Sequence, residues 1–245
     1  MKCSMIKIAV IPAGGKGTRV ANPDIPKPMI RINNKPILES ILSKMNDCGI
    51  KEAYLLVHYL KDQIINYFGP SFKGIKINYV DVHEALKYNN PIGLADVIGV
   101  MKERINEVFV VVLGDEVYLG SNHKSMIESF EDNCDAMIGV IRVNDKDMIR
   151  KNYTLRIDSN LRVIDLEEKP EEPWNDILGC GTYIFKPNIF DFIKKTPLST
   201  KSGRRELTDT LRVIAKDGLL RAFNLGGSYV NINYKEDIKK AEELS

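Results

Sequence analysis

Ala9-Val-Ile-Pro-Ala-Gly-Gly-Lys-Gly-Thr-Arg19 is a strand-like apolar run that breaks into three glycines within four positions and ends on a threonine and an arginine, with Pro26-Lys27-Pro28 a short loop further on. A glycine-rich turn leaving a strand lets backbone N–H groups approach phosphate oxygens closely, and a neighbouring arginine and lysine neutralise the phosphate charge. The stretch Ala13, Gly14, Gly15, Lys16 and Gly17, with Thr18, Arg19 and Lys27 beside it, is therefore expected to cradle a nucleoside triphosphate. Its spacing is neither the G-x-G-x-x-G of a dinucleotide fold nor the G-x-x-x-x-G-K-[ST] of a P-loop.

Working outward, 245 residues suffice for one large α/β domain or two small ones. Lys plus Arg number 35 against 33 Asp plus Glu, an excess of two, so the chain has no blanket attraction to nucleic acid or anionic membrane, and phosphate chemistry must be local. Cys3, Cys48, Cys134 and Cys180 are widely spaced, without a C-x-x-C pair or clustered histidines, which predicts free thiols in a reducing cytosol. No apolar run approaches the roughly 18 residues of a membrane span and the amino terminus lacks a signal-peptide pattern, so a cytoplasmic protein is expected.

Short β-branched runs alternate with amphipathic stretches, the rhythm of a mostly parallel sheet with helices on its faces. Strands are expected at Ile6–Ile11, Ala53–His58, Ile75–Val80, Val108–Leu113 and Asp135–Val143, and helices at Ile37–Cys48, Lys61–Phe68, Gly93–Arg104 and Asn122–Asp132. Gly49 and Gly69 stand where glycine stops a helix. Then the pattern changes. Leu155–Ile157 and Arg162–Glu168 read as a hairpin around Asp158-Ser159-Asn160, followed by a strand at Gly179–Phe185, helices near Asn188–Lys194 and Arg205–Lys216, strands at Leu220–Asn224 and Tyr229–Ile232, and a closing helix from Lys235. No linker or repeat is evident. One domain, 1–245, is expected, with a nucleotide-binding half to about residue 143 and an acceptor-binding half from about 144.

Gly14-Gly15-Lys16-Gly17-Thr18-Arg19 with Pro26-Lys27-Pro28 resembles the G-x-G-T-R and P-K signature of the sugar-phosphate nucleotidylyltransferases. Further stations fall in that family's order. Gly93-Leu94-Ala95 resembles its G-[LT]-A turn beside the base, Leu113-Gly114-Asp115 its L-x-G-D, and Glu167-Glu168-Lys169-Pro170 its E-K-P. Gly179-Cys-Gly-Thr-Tyr-Ile-Phe185 resembles the strand that shapes the sugar pocket, and Glu206-Leu-Thr-Asp209 an E-[IL]-T-D helix. The likeness runs from Lys7 to about Glu243. It implies a Rossmann-like, glycosyltransferase-A-like α/β fold, a mostly parallel mixed sheet flanked by helices with a smaller, hairpin-containing substrate half.

The implied reaction joins a nucleoside triphosphate to a sugar 1-phosphate by in-line attack on the α-phosphorus, releasing pyrophosphate. The catalytic residues would be Arg19 at the departing pyrophosphate, Lys27 at the α-phosphate and Asp115 on the implied cofactor, Mg2+. A hard divalent ion does favour a carboxylate, and a strand's carboxyl end opens where ligands sit in α/β sheets. Gly93 would lie beside the base, Glu168 would take sugar hydroxyls, Lys169 the acceptor's phosphate, and Gly179 and Gly181 would line the sugar pocket. Asn231 stands where many relatives carry a second metal-binding aspartate; it reads either as an amide ligand of the ion or as a strand-end residue held by side-chain hydrogen bonds. His83 and Tyr88 are both candidate base readers.

The acceptor side departs from the pattern, with Gly179 in the place of a common asparagine and Thr154 in that of a glycine after tyrosine. A non-sugar acceptor (phosphocholine, a polyol or an amino-acid phosphate) and a non-catalytic nucleotide sensor are therefore the alternatives. The partners implied are a nucleoside triphosphate and a phosphorylated small molecule, with no nucleic acid and no membrane. The resemblance allows a homo-oligomer, since monomers, dimers and tetramers share the fold.

Overall fold

The apolar run at the head of the chain forms β1 (Ile8–Pro12), whose first four residues are all buried. The structure, a computed structural model, describes residues 6–17, 20, 23–86 and 92–244. After β1 come the short strands β2 (Arg31–Ile32) and β3 (Lys35–Pro36), then α1 (Ile37–Asp47), β4 (Glu52–Val57), α2 (Lys61–Phe68), β5 (Ser71–Phe72), β6 (Ile75–Asp81) and α3 (Val82–Leu86). The next stretch holds α4 (Leu94–Gly99), β7 (Phe109–Val112), β8 (Glu116–Leu119), α5 (His123–Glu128), β9 (Ala136–Arg142) and α6 (Lys146–Arg150). The last holds β10 (Tyr153–Ile157), β11 (Val163–Glu168), β12 (Ile177–Phe185), α7 (Ile189–Lys195), α8 (Leu207–Asp217), β13 (Leu220–Asn224), β14 (Ser228–Asn231) and α9 (Lys235–Leu244). Among the described residues, one compact unit gathers 6–86, 111–124 and 227–244, and the other 92–110 and 125–226.

In the first unit β1, β4 and β6 run parallel in that order, with Val10 beside Tyr54 and Tyr54 beside Asn78. Strand β1, buried on both faces, reads as a nearly continuous apolar run, while β4 and β6 keep half-buried or exposed positions between their buried ones. All three end on one edge of the sheet, at Pro12, Val57 and Asp81, and that edge is where α/β sheets take ligands. Helix α1 buries Ile37, Leu38, Ile41, Leu42 and Met45 along one stripe, and Gly49, at φ +88°, follows its end in the left-handed region. Strand β8 was not foreseen; it pairs antiparallel with β14, Tyr229 opposite Tyr118. Both tyrosine hydroxyls donate to the buried carboxylate of Glu116, Tyr229 at 2.7 Å.

The second unit orders its strands β11-β10-β12-β9-β13, antiparallel except for the parallel β9–β13 pair. The expected hairpin is β10–β11, and β12 is buried at all nine positions. Helix α8 lays Leu207, Leu211 and Ile214 inward and packs on β11. Helix α4 is shorter than the predicted Gly93–Arg104: regular helix stops at Gly99, a weak helix former, and i to i+3 turns carry the chain on to Arg104. Cys48, Cys134 and Cys180 are free, buried thiols, and Cys3 lies outside the described residues. No helix among the described residues is long and apolar enough to cross a membrane.

His123, 2% exposed, accepts no charge cheaply. Burial, aided by the Lys44 ammonium, pushes its imidazole down to about 3, and its Nδ1 lies 3.0 Å from Ser121 Oγ, itself a hydrogen-bond acceptor for Lys44. The unfolded chain's histidine protonates near 6.5. Between that value and about 3 the unfolded state binds the extra proton, so stability falls as pH falls. Urea unfolding should show His123 removing about 2 kcal/mol between pH 7 and pH 5, a loss that His123→Gln abolishes; an unchanged pH slope in the variant contradicts the assignment.

Candidate active site

The glycine turn leaves β1 with the Ala13 N–H bonded to the Leu56 carbonyl at 2.8 Å. A Cβ at Gly14 would lie 3.3 Å from His58 Cβ, whereas one at Gly15 would meet nothing within 4 Å. Gly17 sits at φ +60°, where a side chain is strained, and its Cα side faces the Lys27 stem so closely that a Cβ would stand 2.9 Å from Lys27 Cβ. Thr18 and Arg19 lie outside the described residues. Pro26 leads into a 3-10 turn, Lys27–Met29, which starts on the candidate lysine.

Lys27 Nζ donates to Asp115 Oδ2 at 2.5 Å and to Asn233 Oδ1 at 3.2 Å. The Leu113-Gly114-Asp115 turn reaches the glycine loop because Gly114 has no side chain: its N–H bonds the Pro12 carbonyl at 3.1 Å, and a Cβ would be 2.6 Å from that oxygen. Asn231, at the end of β14, is opposite Glu116, and the next N–H, of Ile232, bonds the Asp115 carbonyl at 3.0 Å. Thus Asp115 and Asn231 are brought side by side along the backbone. Asn233 was missed in the sequence, where it is one polar residue among several; its partner Lys27 is 206 positions away.

Among the described residues no group of three or more His, Cys, Asp or Glu assembles to hold a metal. The oxygen donors present are a carboxylate and an amide. That set suits a magnesium ion that keeps water and takes substrate phosphate oxygens for its remaining ligands.

At the same edge His83 begins near the start of α3, and its ring stacks on His58 with centroids 3.8 Å apart and planes 11° apart. Asp81 organises the pair, accepting the His83 N–H at 3.0 Å and Lys61 Nζ at 2.7 Å. Burial opposes its ionisation, but the Lys61 hydrogen bond and the backbone N–H groups of Glu84 and His83 prevail and hold the carboxyl below the usual range. Tyr88 lies outside the described residues.

The second unit carries the remaining predicted residues. Gly93 starts α4 and donates its N–H to Asp96 at 3.3 Å; a Cβ there would strike the Arg205 carbonyl oxygen, while the Arg205 guanidinium is ion-paired to Asp96. Glu168 ends β11 and accepts the Thr208 hydroxyl at 2.6 Å, so the E-K-P and E-L-T-D stretches do meet. Burial raises the Glu168 carboxyl, eased by Thr208 and by Lys169, whose Nζ is 3.6 Å from Oε1. Lys169 itself is exposed, at φ +45°, pinned by its N–H to the Asn152 carbonyl at 2.7 Å. Gly179 and Gly181 lie on β12, where pairing with β9 slips between Gly179 and Tyr183, an irregularity of the kind that re-aims a strand. Beside Gly179 the Tyr153 ring fills the space a side chain would take, 1.8 Å from a built Cβ, and its hydroxyl donates to the Cys180 carbonyl.

Residues 8–229 match the family model described as "Nucleotidyl transferase". The chain is similar to the UTP–glucose-1-phosphate uridylyltransferase AglF of Haloferax volcanii, 29% identical over 238 residues that cover 96% of this chain and 95% of that protein. It is similar also to the bifunctional protein GlmU of Methanocaldococcus jannaschii, 28% identical over 242 residues; these are 96% of this chain and 53% of GlmU, so the chain spans about half the length of that relative. A solved UDP-glucose pyrophosphorylase complexed with UDP-glucose shares the fold, with a TM-score of 0.85 at 24% identity and 98% of each chain covered. The expected α/β class, a mixed sheet flanked by helices, is thereby the observed one.

If the Tyr153 ring occupies the side-chain space of residue 179, Gly179→Ala should cost about 1–3 kcal/mol of stability by overpacking. The same change in a Tyr153→Leu background should cost clearly less. Equal losses in the two backgrounds, read by urea unfolding, would remove Tyr153 from that space.

Proposed function

Because the chain belongs to the nucleotidyl transferase family, and so to the transferases, we propose that it joins a nucleoside triphosphate to a sugar 1-phosphate, giving a nucleotide sugar and pyrophosphate. The observation that carries this reading is the Lys27 ammonium seated on Asp115 against Gly17 of the glycine turn. A phosphoryl oxygen is already anionic near neutral pH, so in-line displacement asks for positioning and charge stabilisation rather than a base. The backbone from Ala13 to Gly17 holds the triphosphate, Arg19 meets the departing pyrophosphate, and Lys27 stabilises charge growing on the α-phosphate.

Asp115 and Asn231 hold magnesium, which when bound supplies Lewis-acid chemistry at the α-phosphate. On the acceptor side Lys169 orients the attacking phosphate and Glu168 receives sugar hydroxyls. A partly desolvated carboxylate is best satisfied by several donors, and Glu168, with Thr208 and Lys169 beside it among the described residues, suits a hydroxyl-rich acceptor. His83, stacked on His58, is a candidate reader of the base, as the family resemblance makes Tyr88 and Gly93. The relatives' names make a uridylyl donor with glucose 1-phosphate the first pair to test.

The decisive assay sets four nucleoside triphosphates against sugar and non-sugar phosphates and scores pyrophosphate release. A sugar 1-phosphate should stand out; release only with phosphocholine or a polyol phosphate would move the acceptor class, and none with any pair would leave a nucleotide sensor. Lys27→Ala should lower kcat by about 100-fold or more with a smaller change in KM, since its interaction strengthens in the transition state. Asp115→Asn should abolish magnesium-dependent turnover while the far-ultraviolet dichroism stays that of the wild type. A near-wild-type rate in either variant would strike that residue from the machinery.

A further inference from the structure

Lys27 presents three N–H donors. Asp115 takes one and Asn233 a second, which leaves one, among the described residues, to reach a phosphate oxygen. We propose that Asn233 is a positioning residue for Lys27: its amide oxygen aims the ammonium without cancelling its charge. This rests on the phosphate-facing role of Lys27 proposed above.

The local fold fixes Asn233 tightly enough for the task. Asp237, in the first turn of α9, turns its carboxylate back onto two N–H groups, Asn233 at 2.8 Å and Tyr234 at 2.7 Å, a capping arrangement that holds the approach to the helix. On the other side the Ile232 N–H is bonded to the Asp115 carbonyl. Asn233 is therefore clamped between the backbone of Asp115 and the head of α9. The lysine is constrained from its other end, because Gly17 packs on its Cβ and its side chain is only 12% exposed.

The chemistry explains why an amide rather than a carboxylate suits the position. Asp115 already contributes one negative charge to Lys27; a second would draw the ammonium away from a phosphate and mask its field. Asp115 also has a proposed duty to magnesium, whereas Asn233 has none and remains a partner for Lys27 throughout the cycle. A neutral acceptor of fixed direction meets both needs.

The test uses the isosteric series Asn233→Asp and Asn233→Ala in the full chain. Asp keeps the shape and the capping ability of Asn, so a purely structural Asn233 would tolerate it best. Positioning through charge-neutral hydrogen bonding gives the reverse order: Asn233→Asp lowers kcat by about tenfold or more, Asn233→Ala by less, with KM for the triphosphate within about twofold in both. The second readout needs no turnover. The rate at which an amine-directed acylating reagent labels Lys27, followed by peptide mass spectrometry, should rise in Asn233→Ala as a hydrogen-bond partner is lost and fall in Asn233→Asp as the added carboxylate grips the side chain more tightly. Wild-type kcat in Asn233→Asp, or a Lys27 labelling rate that neither variant changes, overturns the proposal. A wild-type chain that releases no pyrophosphate with any pair overturns the transferase reading instead, and the labelling series still decides whether Asn233 holds Lys27.

Discussion

A single ammonium group, Lys27 Nζ, ties together three stretches of chain that lie 88 and 206 positions apart. Each stretch arrives for a local reason. Pro26 presets the entry to the lysine's turn, Gly114 lets the Asp115 turn press onto the end of β1, and the Ile232 N–H fastens the end of β14 to the Asp115 carbonyl. With side chains 12% and 28% exposed, the Lys27–Asp115 pair is largely shielded from screening, but both ions have also lost much of their water. The two effects oppose each other, so the pair is better understood as fixing geometry than as a source of net stability. Removing either partner would leave the other charge half-buried and unanswered.

The same contrast between local and long-range causes decides what can be read from the sequence. Strand β1 is legible because burial on both faces writes an apolar run, β4 and β6 because buried apolar residues recur along them, and α1 and α2 because one buried stripe repeats at helical spacing and a glycine follows each. Lys27 and Asp115 are legible because each sits in a short local motif, Pro26-Lys27-Pro28 and Leu113-Gly114-Asp115, that resembles the family signature. Strand β8 is not. Its four residues are too few for a period, and Glu116 looks like a surface residue until the hydroxyls of Tyr118 and Tyr229, the second 113 positions on, enclose it. Asn233 is hidden for the same reason, since its meaning comes wholly from a distant lysine.

In the second unit the informative features are space and backbone strain, and neither has a letter in the sequence. Gly179 reads as a missing asparagine, yet the structure puts the Tyr153 ring in the vacated volume, so the position is filled from the neighbouring strand rather than empty. Lys169 stands in the left-handed region, a conformation that costs a lysine about 1–2 kcal/mol and lies just before Pro170. The Asn152 carbonyl holds it there. Strain kept by a hydrogen bond at an exposed, charged residue is economical only if the direction of that side chain matters.

The two units thus prepare charge in different ways. Around the glycine turn, cation and anion hold each other, so their directions are set by one another and by the close packing of Gly17 on the lysine stem. At Glu168, whose side chain is partly exposed, desolvation raises the carboxyl while the Thr208 hydroxyl and the Lys169 ammonium beside it act the other way. The displacement at phosphorus proposed above, which moves no proton, would draw on both: fixed charge where negative charge grows, and a carboxylate facing the hydroxyls of the attacking molecule. In the proposed reaction the first would make the rate depend on Lys27 being aimed, and the second would make the choice of acceptor depend on Glu168. On that proposed reading, substitutions around Tyr153 and Thr208 would alter the acceptor while the glycine turn and its lysine stay as they are.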